Sequence, residues 1–136
     1  MVNKLIAPIC ILLCLSGCGK APQDKFIGTW SYTGSGKLMT VPLNCSIDLS
    51  IVKKNKTYIL SNLSLHLNPS VFGLNGGEFF HDAELSVKDD NTMSTPTLPS
   101  GTPIIITYLK DSNQIALNPN PCNGITPAGM LSKKNN

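Results

Sequence analysis

The sequence predicts an all-β domain: a small antiparallel up-and-down meander closing into a barrel, with a two-sheet β-sandwich as the alternative. Three observations lead there. Leu43 to Ile51 alternates apolar and polar residues without a fault, which is the period of a half-buried strand. Three turns of one kind, Val52-Lys53-Lys54-Asn55, Val87-Lys88-Asp89-Asp90-Asn91 and Leu109-Lys110-Asp111-Ser112-Asn113, separate apolar runs. Asp, Asn and Ser bond their own backbone, and Asn tolerates positive φ, so each turn suits a tight antiparallel reversal. No stretch has a convincing helical period. Short strands joined by hairpins in sequence order make a meander.

The chain opens on a segment of another kind. Lys4 precedes an apolar run from Leu5 to Leu15 that ends in small residues, the layout of a secretory signal. The run is shorter than the about 20 apolar residues of a spanning helix, and Pro8 and Gly17 interrupt it. Leu15-Ser16-Gly17-Cys18 resembles the lipobox of bacterial lipoproteins. That resemblance implies that residues 1–17 are a cleaved signal peptide and that Cys18 becomes the lipidated first residue. Its thiol would carry diacylglycerol and its amino group an acyl chain such as palmitate. One chain binds a membrane reversibly, whereas two or three anchor it stably. Gly19, where an inner-membrane lipoprotein of enterobacteria has Asp, implies an outer-membrane anchor facing the periplasm in a Gram-negative cell envelope.

Residues 18–25 read as the lipidated cysteine and a polar tether. Seven tether residues reach at most about 25 Å, at about 3.5 Å each, which keeps the domain near its membrane. Residues 26–132 read as a single β domain and 133–136 as a disordered polar tail. Removal of Lys4 with the signal leaves ten lysines against eight acidic residues, a formal charge of +2. No basic run suggests nucleic acid as a partner. The chain has no Arg, and so lacks the bidentate clamp usual for phosphate and carboxylate ligands.

Phe26-Ile27-Gly28-Thr29-Trp30-Ser31-Tyr32 opens the domain. Its Gly-x-Trp pattern resembles the first strand of the lipocalin and fatty-acid-binding superfamily, where the tryptophan plugs the closed end of a barrel. The resemblance implies a lipocalin-like barrel whose apolar ligand would meet Trp30, Tyr32 and His81. It departs from the superfamily in having no Arg to stack on Trp30 and no C-terminal helix. The next strands follow by alternation. Thr57 to Leu67 puts Ile59, Leu63, Leu65 and Leu67 inward, with Tyr58, Asn62, Ser64 and His66 outward. Phe79 to Val87 puts Phe79, His81, Ala83, Leu85 and Val87 inward, with Phe80, Asp82, Glu84 and Ser86 outward. Residues 104–110 and 114–118 form a further pair. Residues 68–77 and 96–103, rich in Gly and Pro, read as loops, and 119–127 as an irregular strap.

Five cysteines occur; Cys10 and Cys14 leave with the signal and Cys18 takes lipid. Cys45 and Cys122 remain, an even pair in an oxidising compartment, and are expected to form a disulfide. Closing so long a loop is worth about 4 to 5 kcal/mol in the chain-entropy view. With those two thiols and His66 and His81 as the candidate ligands, no pair has a chelating spacing, so no metal or other cofactor is expected. The outward acids Glu78, Asp82 and Glu84 read as exposed, not as carboxylates held in an apolar pocket for hydrolysis. No nucleophile signature accompanies them. Pro99-Ser100-Gly101-Thr102 resembles the Ser-Gly loop of periplasmic lysozyme inhibitors and would be an interaction loop, though the family's nearby tyrosine is missing. The expected protein is a membrane-anchored, noncatalytic envelope lipoprotein whose partner is an envelope protein or an apolar ligand.

Overall fold

The computed structural model describes residues 21–71, 74–99, 101–126 and 129–134; Cys18 and Ser100 lie outside them. A short 3-10 helix, Pro22–Phe26, precedes nine described strands. These are β1 Gly28–Leu38, β2 Val41–Lys54, β3 Thr57–Val71, β4 Leu74–Glu84, β5 Ser86–Asp89, β6 Thr92–Ser94, β7 Ile105–Leu109, β8 Gln114–Asn118 and β9 Leu131–Lys133. They form one antiparallel sheet in the order β4-β3-β2-β1-β9-β8-β7-β6-β5. Its two edges, β4 and β5, are one run of chain interrupted by Leu85 alone. The first part of that run pairs with β3 and the second with β6, so the sheet curls into a nearly closed barrel.

Alternation holds in β2, where Leu43, Cys45, Ile47, Leu49 and Ile51 are all buried. In β3 it holds only in part. Leu63, Leu65 and Leu67 face inward as expected, but Tyr58 and Leu60 fill the inner places before them and Ile59 is half-buried. Ser50 pairs with Asn62 and Ile51 with Leu60, so Ser61 is an extra residue on β3. A bulge of this kind exchanges the faces of every residue beyond it. The Ser61 hydroxyl donates to the Ser50 carbonyl at 3.2 Å.

The same correction applies more strongly to β4. Phe79 and Val87, expected inward, are each 45 % exposed, whereas Phe80, expected outward, packs against the core. Leu63 pairs with Phe80 and Ser64 with Glu78, which leaves Phe79 out of the ladder. Asp82 has φ of 52°. His81 and Asp82 therefore both stay exposed before Ala83 turns in against the core and Leu85 is buried. The Gly-rich stretch expected as a loop also belongs to β4, with Gly76 opposite His66 and Gly77 opposite Leu65. Gly76 has φ of 114°, and a Cβ on it would lie 1.9 Å from the Leu65 carbonyl oxygen. Only glycine fits there.

From Ala21 onward the segment expected as a tether is folded against the barrel. In the 3-10 helix, Asp24 Oδ2 accepts the Ala21 N–H at 3.1 Å. Its other oxygen accepts the Tyr58 hydroxyl at 2.5 Å and the Lys53 ammonium at 2.9 Å. On the far side Gln23 donates to Asp90 at 3.4 Å and Lys25 to Asn91 at 2.5 Å, with the Lys25 ammonium 4.9 Å from the centre of the Tyr108 ring. The helix thus bridges the β2–β3 hairpin to the β5–β6 turn and covers one end of the barrel. Phe26 is buried, and its carbonyl accepts the Trp30 indole N–H at 2.9 Å. At the other terminus, Lys133, expected in the polar tail, belongs to β9. β9 pairs with both β1 and β8, and the Lys134 N–H reaches the Thr29 carbonyl at 2.8 Å.

Two measurements check this frame. The Tyr58 hydroxyl and then the Lys53 ammonium hold the Asp24 carboxyl down at about 2, with burial opposing them. A carboxylate depressed on folding adds stability above its unfolded value, about 3.9, and loses it as pH falls through the folded value. Asp24→Asn should therefore melt below wild type at neutral pH, and the gap should narrow between about pH 4 and pH 2. Thermal melts followed by circular dichroism across that range test it. Cys45 and Cys122 are bonded across 77 residues, and both are buried. Cys122→Ser should cost about 2 to 5 kcal/mol in denaturant titrations, and non-reducing alkylation of wild type should label neither thiol.

Candidate functional site

Among the described residues, apolar side chains of both halves of the sheet meet inside. Trp30, Leu49, Leu63, Met93, Ile106 and Leu131 are each fully buried within one continuous apolar cluster. Trp30 packs edge-on to Tyr108 with ring centres 6.4 Å apart. Where the superfamily resemblance lacks its arginine, Lys133 places its ammonium 5.5 Å from the centre of the Trp30 ring. This gives the Gly-x-Trp pattern a local cause. Gly28 has φ of 139°, and a Cβ there would meet the Lys133 side chain at 2.5 Å.

Of the three residues proposed to meet a ligand, two share the inner face and one does not. Trp30 and Tyr32 stand opposite Leu49 and Ile47, both buried. Tyr32 is half-buried near the far end and donates to Thr126 Oγ1 at 3.1 Å. His81 is corrected to the outer surface, its side chain 69 % exposed, because the break around Phe79 and Asp82 reversed the faces of β4. Its Nδ1 lies 3.6 Å from Glu78 and its Nε2 3.3 Å from Asp82. The acidic stripe Glu78, Asp82 and Glu84 is exposed as expected. Among the described residues no three His, Cys, Asp or Glu side chains converge as a metal-binding set.

The end of the barrel away from the 3-10 helix is the more elaborate. It gathers the β1–β2 turn, the loop from Thr95 to Ile104 and the strap between β8 and β9. The strap is held from inside. Cys122 bonds Cys45, the Cys122 N–H donates to Asn120 Oδ1 at 2.8 Å, and Asn120 Nδ2 donates to the Gly129 carbonyl at 3.1 Å. Ile125 and Thr126 N–H groups both reach the Cys122 carbonyl at 3.0 Å. Ile125 then lies directly on β1: the Lys37 N–H donates to its carbonyl at 3.1 Å, and a Cβ on Gly36 would sit 1.6 Å from that oxygen. The described part of the strap is therefore fastened to β1 and β2 at this mouth.

Beside the strap runs an open groove of about 300 Å³ lined by Ser35, Gly36, Pro42, Leu43, Asn44, Asn68 and Pro69. The Ser35 hydroxyl donates to Asn44 Oδ1 across it at 2.9 Å. Met39, 74 % exposed, caps the adjoining β1–β2 turn, where Met39 and Thr40 both have positive φ. Of the proposed Ser-Gly loop, Gly101 is exposed with φ of 96°, and its N–H donates to the Leu98 carbonyl at 2.8 Å in a tight reversal.

Sequence reading missed Gly36, Asn120 and Thr126, which seat the strap, and the Asp24-Tyr58-Lys53 set, which seats the helix. The second left a trace: Pro22 at a first helical position with Asp24 soon after is a helix-start signal. The first left none, since it joins residues that only the folded sheet brings together. No protein-family model, no curated protein and no solved structure matches this chain.

Proposed function

We propose that this chain is a noncatalytic lipoprotein of the bacterial cell envelope, held to the membrane through lipid on Cys18 and acting by contact with another envelope component. The observation that carries this reading is the opposition of the two barrel ends. Ala21, three residues beyond Cys18, caps the start of the 3-10 helix that covers one end, while the groove, Met39 and the strap occupy the other. A domain tethered so briefly turns its helix end to the anchor and presents the groove end outward. Large apolar side chains line the inner face, and His81, the histidine expected there, is outside. That arrangement favours a surface role over carriage of an apolar guest.

Two experiments test the reading. Intact mass of the full chain expressed in a Gram-negative host should show a processed protein carrying lipid on its first residue and partitioning into detergent. Cys18→Ala should remain unlipidated with residues 1–17 attached; a free, lipid-less wild type would overturn the anchor. Separately, titration with a hydrophobic probe or extracted envelope lipid should leave the emission of the single Trp30 unchanged. Saturable, stoichiometric quenching would replace the surface role with a carrier role.

A further inference from the structure

The β2–β3 turn is the most basic stretch of the described chain, with Lys53, Lys54 and Lys56 within four residues. Lys53 is engaged by Asp24. Lys54 and Lys56 are exposed, and their side-chain ammonium groups make no hydrogen bond or ion pair among the described residues. The other turns at this end are balanced. Lys25 and Lys88 accompany Asp89 and Asp90 around the β5–β6 turn, and Lys110 accompanies Asp111 at the β7–β8 turn. The C-terminal lysines also lie toward this end, where the Lys133 ammonium lies 5.5 Å from the centre of the Trp30 ring and Lys134 pairs with Asp48. The positive charge of this end that no described side chain engages therefore sits at Lys54 and Lys56.

The chain's own path brings that charge to a defined place. The helix residue Asp24 bonds Lys53, next to Lys54, and the helix begins at Pro22. Only the stretch from Cys18 to Ala21 separates the lipid position from this docked segment, and three residues span at most about 10 Å. Electrostatic attraction to a charged surface persists over about 8 to 10 Å at physiological salt. Lysines held within that distance of an anionic bilayer bind its headgroups.

We propose that Lys54 and Lys56 seat the helix end of the barrel on anionic phospholipid headgroups of the membrane that holds Cys18. The proposal rests on the lipoprotein reading above. It assigns the short anchor a second attachment point, which fixes the tilt of the barrel and keeps the groove end pointing away from the bilayer.

The test uses the processed, lipid-bearing protein in vesicles of phosphatidylcholine alone or mixed with phosphatidylglycerol, with lysine acetylation read residue by residue by mass spectrometry. With phosphatidylglycerol, Lys54, Lys56, Lys88 and Lys110 should react several-fold more slowly than in phosphatidylcholine. Lys37, near the opposite end, should react equally in both, and high salt should abolish the difference. In the double variant Lys54→Glu, Lys56→Glu, which spares the Asp24–Lys53 contact, Lys88 and Lys110 should return to their phosphatidylcholine rates. Equal rates in the two vesicles, equal slowing of Lys37, or protection that survives in the double variant would each overturn the docking while leaving the anchor intact. A wild-type mass without lipid on Cys18 would overturn the anchor and the docking together.

Discussion

The indole N–H of Trp30 constrains the whole N-terminal half of the molecule. A fully buried donor left without an acceptor costs free energy comparable to a lost hydrogen bond. The Phe26 carbonyl accepts it at 2.9 Å, but only if the chain ahead of β1 folds back under the ring. The tight 3-10 turn of Pro22–Phe26 is that fold-back. Once it is made, Gln23, Asp24 and Lys25 fall where the β2–β3 hairpin and the β5–β6 turn can both be reached. One indole thus determines how an end of the barrel is closed.

The two ends of the barrel use different physics. At the helix end the contacts are short-range and partly exposed: hydrogen bonds, one ion pair and a cation over an aromatic ring. Such contacts add little individually, and salt weakens their charged members. At the strap end the chain is held by a covalent bond and by buried amide groups whose partners are all internal. The groove beside the strap is lined by residues of β1, β2 and β3, next to the disulfide-bonded Cys45.

Much of the fold was legible, for identifiable reasons. β2 pairs with β1 from Val41 to Ile51 and with β3 from Asn44 to Lys54, so its period-two pattern from Leu43 to Ile51 survived intact. The three Asx-rich turns were legible because their chemistry is local; Asn55 and Asn113 take φ of 60° and 54°, and Asp89 accepts the Asn91 N–H. β3 and β4 were misread where an extra residue entered the ladder, at Ser61 and at Phe79, and no residue type announces such an insertion. His81 went to the wrong face because it lies between that insertion and Asp82, whose φ of 52° breaks the alternation before Ala83. β9 was missed because three residues are too few to display a period. The disulfide was read from cysteine number and compartment, whereas the groove depends on Asn68 and Pro69 of β3 lying beside Pro42 and Leu43 of β2, which is a tertiary fact.

The place of β9 also governs the order in which this sheet can be completed. β1 pairs with β2 through an adjacent turn, but its other side waits for Leu131–Lys133, with Trp30 opposite Lys133. A polypeptide made from its amino end thus acquires its first strand almost at once and the neighbour of that strand last. Until then the β4-to-β1 hairpins and the β5-to-β8 hairpins are two halves with no backbone ladder joining β1 to β8. Pairings this distant in sequence form slowly because the intervening loop must close first. The vectorial emergence of the chain, from a ribosome or through a membrane pore, cannot yield a continuous barrel stave by stave; closure is a single late event that docks two preassembled halves around one three-residue strand.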